Sequence, residues 1–310
     1  VEAERNTLEH HPEAGGTVVK FTAIRADRSF VDAHGVTIHF YEWKVGAPRG
    51  VVQISHGLGD HALRYEDVAQ AFVAEGYTVY ADDHRGHGQT GFTQWGGDLS
   101  KLGTLGAGGI GATVEGVRHL TRIIREENPD VPLAIVGHSW GSLLAQIVVN
   151  DHPEEYDAVV LTGTAYRTFR HMNGGDLNAK HKHLGSTGYE WLSRDPAVAD
   201  AFAADPLTFS ASAIKQFGLW DALRLLGRPR KDLAHDVPLL IQVGGDDPFG
   251  GEHSAELLAQ SYISRAGLTD VELIVYTDAR HEVFNEVNRD EIIADTIEWL
   301  GQRLPEHAGE

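Results

Sequence analysis

The sequence predicts a doubly wound α/β domain, a mostly parallel sheet with helices on both faces and a helical insertion late in the chain. Three observations carry that prediction. Short β-branched runs alternate with amphipathic helical stretches, the later strands read as nearly continuous apolar runs, and the alternation is interrupted once at length.

Residues 1–28 carry Pro12, Gly15 and Gly16 among scattered charges, with little periodicity before Phe21, so they are expected to form an irregular arm. The core is expected over 29–163 and 233–310. Strands are expected over 38–45, 51–55, 78–81, 133–136, 158–162, 239–243 and 271–276. Between them, 65–75 places Val68, Ala69, Phe72 and Val73 on one helical face, and 112–127 does the same with Val117, Leu120, Ile123 and Ile124. The closing stretch 290–304 repeats the pattern with Ile293, Ile297, Leu300 and Leu304. Residues 164–232 offer no core strand and are too long for an ordinary loop, so a helical cap is expected there, with helices near 197–204 and 217–226.

Composition narrows the function classes. Twenty-six basic against 45 acidic side chains give a formal charge of −19, which repels nucleic acid and anionic membrane surfaces alike. Cysteine is absent, which removes disulfides, thiolate metal sites and cysteine nucleophiles. No run approaches eighteen apolar residues, and the first twenty are acidic where a secretory leader would be basic and then apolar. A soluble, cytoplasmic protein is the expectation; the sequence leaves oligomeric state open.

The 133–136 strand runs into Gly137-His138-Ser139-Trp140-Gly141, and a helical pattern follows at once. A reversal from strand to helix within a residue or two strains the backbone at Ser139 and leaves no room for side chains beside it, hence the glycines. That is the nucleophile elbow of a serine enzyme. A serine hydroxyl needs a base, and the base an orienting acid, in the chain order serine, acid, histidine. His281 follows the 271–276 strand and is the expected base. The acid lies in Gly244-Gly245-Asp246-Asp247-Pro248 after the 239–243 strand. Asp247 is preferred over Asp246, because a residue before proline favours an extended backbone that projects its side chain. The loop His56-Gly57-Leu58-Gly59 supplies the remaining part: the backbone N–H groups of Leu58 and Trp140 are the expected oxyanion donors. His56, His61, His84 and His87 cluster near strand ends without a metal-ligand spacing, so neither metal nor cofactor is expected. The glycines around His87 are expected to shape a tight loop, with Arg85 pairing a carboxylate.

Four blocks together resemble the α/β-hydrolase superfamily, in particular its monoacylglycerol lipase and lysophospholipase-like branch: HGLGDHALRY at 56–65, ADDHRGHGQTG at 81–91, GHSWGS at 137–142, and GGDDP at 244–248 with RHEVFNE at 280–286. The similarity spans roughly 29–304. It implies Ser139, Asp247 and His281 as a triad, Leu58 and Trp140 as oxyanion donors, and a cap after the sixth strand. Trp140 stands where that branch often has methionine, and Ser142 where it often has glycine.

The expected reaction is hydrolysis of a carboxylic ester with an apolar acyl chain, a monoacylglycerol or similar single-chain lipid ester, through an acyl-enzyme. Leu219, Trp220, Leu223 and Leu226 are expected to wall the acyl pocket, and the cap to touch lipid aggregates. An amidase or peptidase, a lactonase or an acyltransferase would use the same triad. A small-ligand-binding homologue without turnover is the alternative of another class.

Overall fold

The computed structural model describes residues 7–9, 18–20, 23–210 and 212–304. Strands β1 (Thr7–Glu9) and β2 (Val18–Lys20) form a separate antiparallel pair. The main sheet has eight strands: β3 (Arg25–Val31), β4 (Thr37–Trp43), β5 (Gly50–Ser55), β6 (Tyr77–Asp82), β7 (Leu133–His138), β8 (Ala158–Thr162), β9 (Leu239–Gly244) and β10 (Val271–Tyr276). Their order is β10-β9-β8-β7-β5-β6-β4-β3. Pairing is parallel except at β3–β4 and β4–β6, so the fold is the mostly parallel α/β sheet that the alternation predicted.

The α-helices among the described residues are α1 (Glu66–Ala74), α2 (Gly88–Gln94), α3 (Gly109–Glu127), α4 (Trp140–Asp151), α5 (Pro196–Ala204), α6 (Ala213–Arg224), α7 (Gly251–Ser261) and α8 (Arg289–Arg303), with five shorter helical turns besides. The side-chain period of two divides each central strand between two cores. Leu133 and Ile135 of β7 pack with Val117 and Leu120 of α3 and Leu144 and Val148 of α4. Ala134 and Val136 of the same strand face Val68 and Phe72 of α1 and Ile293 and Leu300 of α8. Burial on both faces is why β5, β7, β8 and β9 read as nearly continuous apolar runs, with the buried Gln53 and Gln242 hydrogen-bonded inside.

From β5 the chain steps to β6 on one side and then returns to β7 on the other. The order therefore reverses between β5 and β7, and a crevice opens beyond their carboxyl ends. The loop after β5 and the turn after β7 both lie there.

Two expectations are corrected. The arm assigned to 1–28 falls partly on residues 1–6, 10–17 and 21–22, which lie outside the described residues, but Arg25 already begins β3. Its charges suggested an arm because β3 is an edge strand with a wet outer face. Arg28 pairs there with Glu42 at 2.9 Å and also with Glu127. The stretch after His87 is a short helix, α2, rather than a plain loop, while Arg85 pairs with Asp32 at 2.6 Å.

Residues 163–238 separate β8 from β9 and contain α5 and α6. Gly218 has φ 76° and ψ 169° and interrupts α6, so residues on its two sides do not share one helical register.

Candidate active site

Ser139 sits between the last residue of β7 and the first of α4 with φ 52° and ψ −120°, well outside the regions comfortable for an L-residue. Close packing holds it there. A Cβ on Gly141 would lie 2.1 Å from the Ser55 carbonyl oxygen, and one on Gly137 would lie 2.8 Å from the Gly141 carbonyl, so both glycines are demanded by the turn. The Ser139 N–H donates to the Thr162 carbonyl on β8 at 2.9 Å, and the N–H groups of Ser142 and Leu143 fold back on the Ser139 carbonyl at 3.0 and 3.2 Å. The first-turn amides of Trp140 and Gly141 are left without a backbone acceptor among the described residues, at the positive end of α4.

The loop after β5 presses on this turn: a Cβ on Gly57 would sit 3.3 Å from that of Ser139. His56 shapes the loop. Its Nδ1 meets the Gly57 carbonyl at 2.8 Å while its Nε2 accepts the His84 N–H at 3.0 Å, an arrangement only the neutral ring satisfies. Burial, then the neighbouring His84 and His87, push its pKa well below the usual histidine value, in agreement with that geometry. The His84 ring stacks on His56 at 4.1 Å and meets the edge of Trp140 at 5.5 Å, so one aromatic stack joins the loop that carries Leu58 to the residue after Ser139.

His281, in the turn after β10, is almost fully buried and lies with Nδ1 2.9 and 3.0 Å from the two carboxylate oxygens of Asp247. Asp247 also accepts the Phe249 N–H at 2.9 Å, which fixes its orientation. Nε2 of His281 is buried without a hydrogen-bond partner among the described residues. Ser139 and His281 line the same small cavity without a hydrogen bond between them. A contact that tightens only when substrate arrives is common in such pairs.

Of the two adjacent aspartates, Asp246 turns the other way, toward Lys180 and His181. Leu58 lines the cavity and Trp140 is buried beside it. The four expected wall residues do not line it. Leu219 is 55% and Trp220 79% exposed, and Leu223 and Leu226 are half-buried elsewhere. All four follow the break at Gly218, on or just past one short helical end that stops at Arg224 and turns Leu219 and Trp220 to solvent rather than to the cavity.

The apolar wall comes instead from Tyr189, Trp191, Leu192, Phe202 and Phe209, which carry no periodic signal because all but Phe202 lie outside helices and strands. Aromatic residues scattered through a segment without strands are the only hint the sequence offers.

A polar group completes the lining. Arg64 grips Glu282 with two hydrogen bonds of 2.7 and 2.8 Å and reaches Asp60 at 3.0 Å, while Tyr65 donates to Asp60 at 3.0 Å. Burial raises the pKa of both carboxyls, but Arg64 outweighs it and holds them below the usual carboxylate range. His138 is neutral for the opposite reason: burial, then His281, lower its pKa to about 4.

Residues 46–288 match the Hydrolase_4 family, described as serine aminopeptidase, S33. The chain is 33% identical over 296 residues to a monoacylglycerol lipase of Mycolicibacterium smegmatis, covering 91% of this chain and 99% of that one. It is 26% identical over 286 residues to the monoglyceride lipase of Homo sapiens, covering 88% and 89%. Among solved structures it is similar to a thermostable carboxyl esterase from Bacillus coagulans, with TM-score 0.78 and 23% identity over 92% of this chain and 100% of that one. A soluble variant of the Saccharomyces cerevisiae monoglyceride lipase gives TM-score 0.72 and 17% identity over 91% and 96%. These two likenesses concern the fold, which is that of the α/β-hydrolases.

Proposed function

The chain belongs to the Hydrolase_4 (serine aminopeptidase, S33) family, and from that premise we propose that it is a serine hydrolase of carboxylic esters with an apolar acyl chain, monoacylglycerols or similar single-chain lipid esters. The observation that carries the reading is His281, oriented through Nδ1 by Asp247, with its unpartnered Nε2 in the cavity that Ser139 lines.

In this reading Ser139 Oγ attacks the ester carbonyl as His281 Nε2 takes its proton. The oxyanion forms beside the N–H groups of Leu58 and Trp140, where a single such donor contributes about 3–4 kcal/mol. Asp247 steadies the imidazolium, which returns the proton to the leaving alkoxide and leaves the acyl group on Ser139. Water, deprotonated by the same histidine, then releases the carboxylic acid.

The rings of Trp191, Phe202 and Phe209 favour an acyl chain over a polar acyl donor. The carboxylates of Asp60 and Glu282 are already paired with Arg64, whose charge offsets theirs and weakens them as a seat for the free amino group of a peptide. Segment 164–232 acts as the cap in this scheme. The setting is the cytoplasm, with exposed Trp220 and Phe169 brushing lipid aggregates in passing. No helix among the described residues is long and apolar enough to cross a membrane.

The test is Ser139→Ala on the purified protein. Hydrolysis of butyryl and octanoyl esters falls by at least about 10^4-fold and fluorophosphonate labelling disappears. Activity retained in that variant removes the proposal, and faster turnover of an aminoacyl amide than of any ester in the unsubstituted protein moves the substrate class to peptides.

A further inference from the structure

The serine mechanism has no use for Asp246, yet its surroundings are more constrained than an ordinary strand-end carboxylate requires. Lys180 and His181 of the β8–β9 segment both donate to it, His181 from 2.8 Å. Burial alone would raise the Asp246 pKa, and these two hydrogen bonds outweigh it and lower it. The His181 side chain is only 3% exposed, and its other ring nitrogen has no partner among the described residues, so the ring is committed to this one contact.

From His181 the contacts continue to the base. The His181 N–H donates to the Asn178 carbonyl at 2.9 Å, and the Asn178 side chain accepts the Trp191 N–H at 3.0 Å and donates to Glu190 at 2.6 Å. The Trp191 ring lies 4.8 Å from that of His281, and the Leu192 carbonyl accepts the Glu282 N–H at 2.7 Å. Arg280 closes the same junction by donating to the carbonyls of Glu190 and Ser193 at 2.6 and 2.7 Å. The path therefore returns to its start: Asp246, His181, Asn178, Trp191, His281, Asp247, and Asp246 again by the peptide bond.

We propose that Asp246 and His181 form a latch that positions Asp247 against His281, so that residues 178–193 of the β8–β9 segment hold both partners of Ser139 in register. Asp246 and His181 are positioning residues; neither touches the reacting atoms. The physical reason is competition. Two successive carboxylates end β9, and fixing one outward on His181 and Lys180 leaves the other as the only acceptor facing the imidazole.

The proposal rests on the serine-hydrolase reading, and Ser139→Ala separates the failure of that reading from the failure of this one. Asp246→Asn, His181→Leu, His181→Gln and the double variant Asp246→Asn/His181→Leu are made in the full chain. Hydrolysis of p-nitrophenyl butyrate is expressed per active site counted by fluorophosphonate labelling, so unfolded protein does not enter kcat. Asp246→Asn and His181→Leu are each expected to lower kcat about tenfold with KM within twofold, the size of a small misplacement of the base. The double variant is expected to fall no further than the worse single one. His181→Gln, which keeps an N–H donor, returns at least a third of the original kcat. Single variants within twofold of the original kcat, losses that multiply in the double variant, or an effect confined to the melting temperature would overturn the latch.

Discussion

The two sides of the cavity are built by different physics. On the sheet side, Ser139, Leu58 and Trp140 are placed by backbone: a strained dihedral, two glycines pressed against carbonyls, and the ends of β5 and β7. On the β8–β9 side, Trp191, Leu192 and Phe202 form a small apolar cluster separate from the two faces of the sheet. A few hydrogen bonds tie that side to the loops of Asp246 and His281. On the proposed reading the sheet side sets the nucleophile and the oxyanion donors through backbone, while the β8–β9 side offers its rings to the substrate and, through residues 178–193, steadies the base. A change on the sheet side should cost turnover for every ester, whereas a change in the aromatic rings of the opposite side should depend on the acyl chain.

The largest effect expected on the sheet side is that of Asp247→Asn, which keeps the shape but loses the carboxylate that orients His281. It should lower kcat about 10^4-fold for short and long esters alike. Steady-state rates on acetyl and octanoyl esters check this, and a loss that differs tenfold between the two would break the division.

The next expected effect is on stability. Burial holds His87 near a pKa of 3, and burial with the neighbouring His281 holds His138 near 4, whereas an unfolded histidine titrates near 6.5. Below 6.5 the unfolded chain therefore binds more protons than the folded one. The contribution is intact above 6.5 and is lost as pH falls toward 4, by about 1.4 kcal/mol per pH unit for each ring. Melting temperature should drop by several degrees between pH 7 and pH 5, and less in His138→Gln. A melting temperature that does not move over that interval contradicts the neutral burial of these rings.

The smallest effect belongs to the β8–β9 side. Phe209→Ala should reduce kcat/KM for an octanoyl ester about tenfold, the value of one to two kcal/mol of apolar contact, and for an acetyl ester less than threefold. An equal loss on both would move Phe209 from substrate contact to the support of the oxyanion loop, where its N–H donates to the Gly59 carbonyl at 3.0 Å.

Much of the sheet was legible because its signals are local. The β5, β7, β8 and β9 runs announce burial on both faces, and Gly137 and Gly141 announce a turn that nothing larger can make. β3 escaped because half of an edge strand's residues are chosen by water. The Leu219 to Leu226 stripe misled because periodicity shows that residues share a face but not what that face meets, and here Leu219 and Trp220 meet solvent. Asp246 and Asp247 were hard to separate because their chemistry and context along the chain are nearly the same.

By itself the sequence determined the layered α/β architecture, the strained serine and the order of the three chemical groups, all of which follow from periodicity and from what fits within a few residues. Only the tertiary structure decided which aspartate faces His281, which aromatic rings border the cavity and what holds the two loops together. Those outcomes depend on contacts between residues far apart along the chain, 34 positions for His281 with Asp247 and 65 for His181 with Asp246, and no short-range pattern encodes the distance between them.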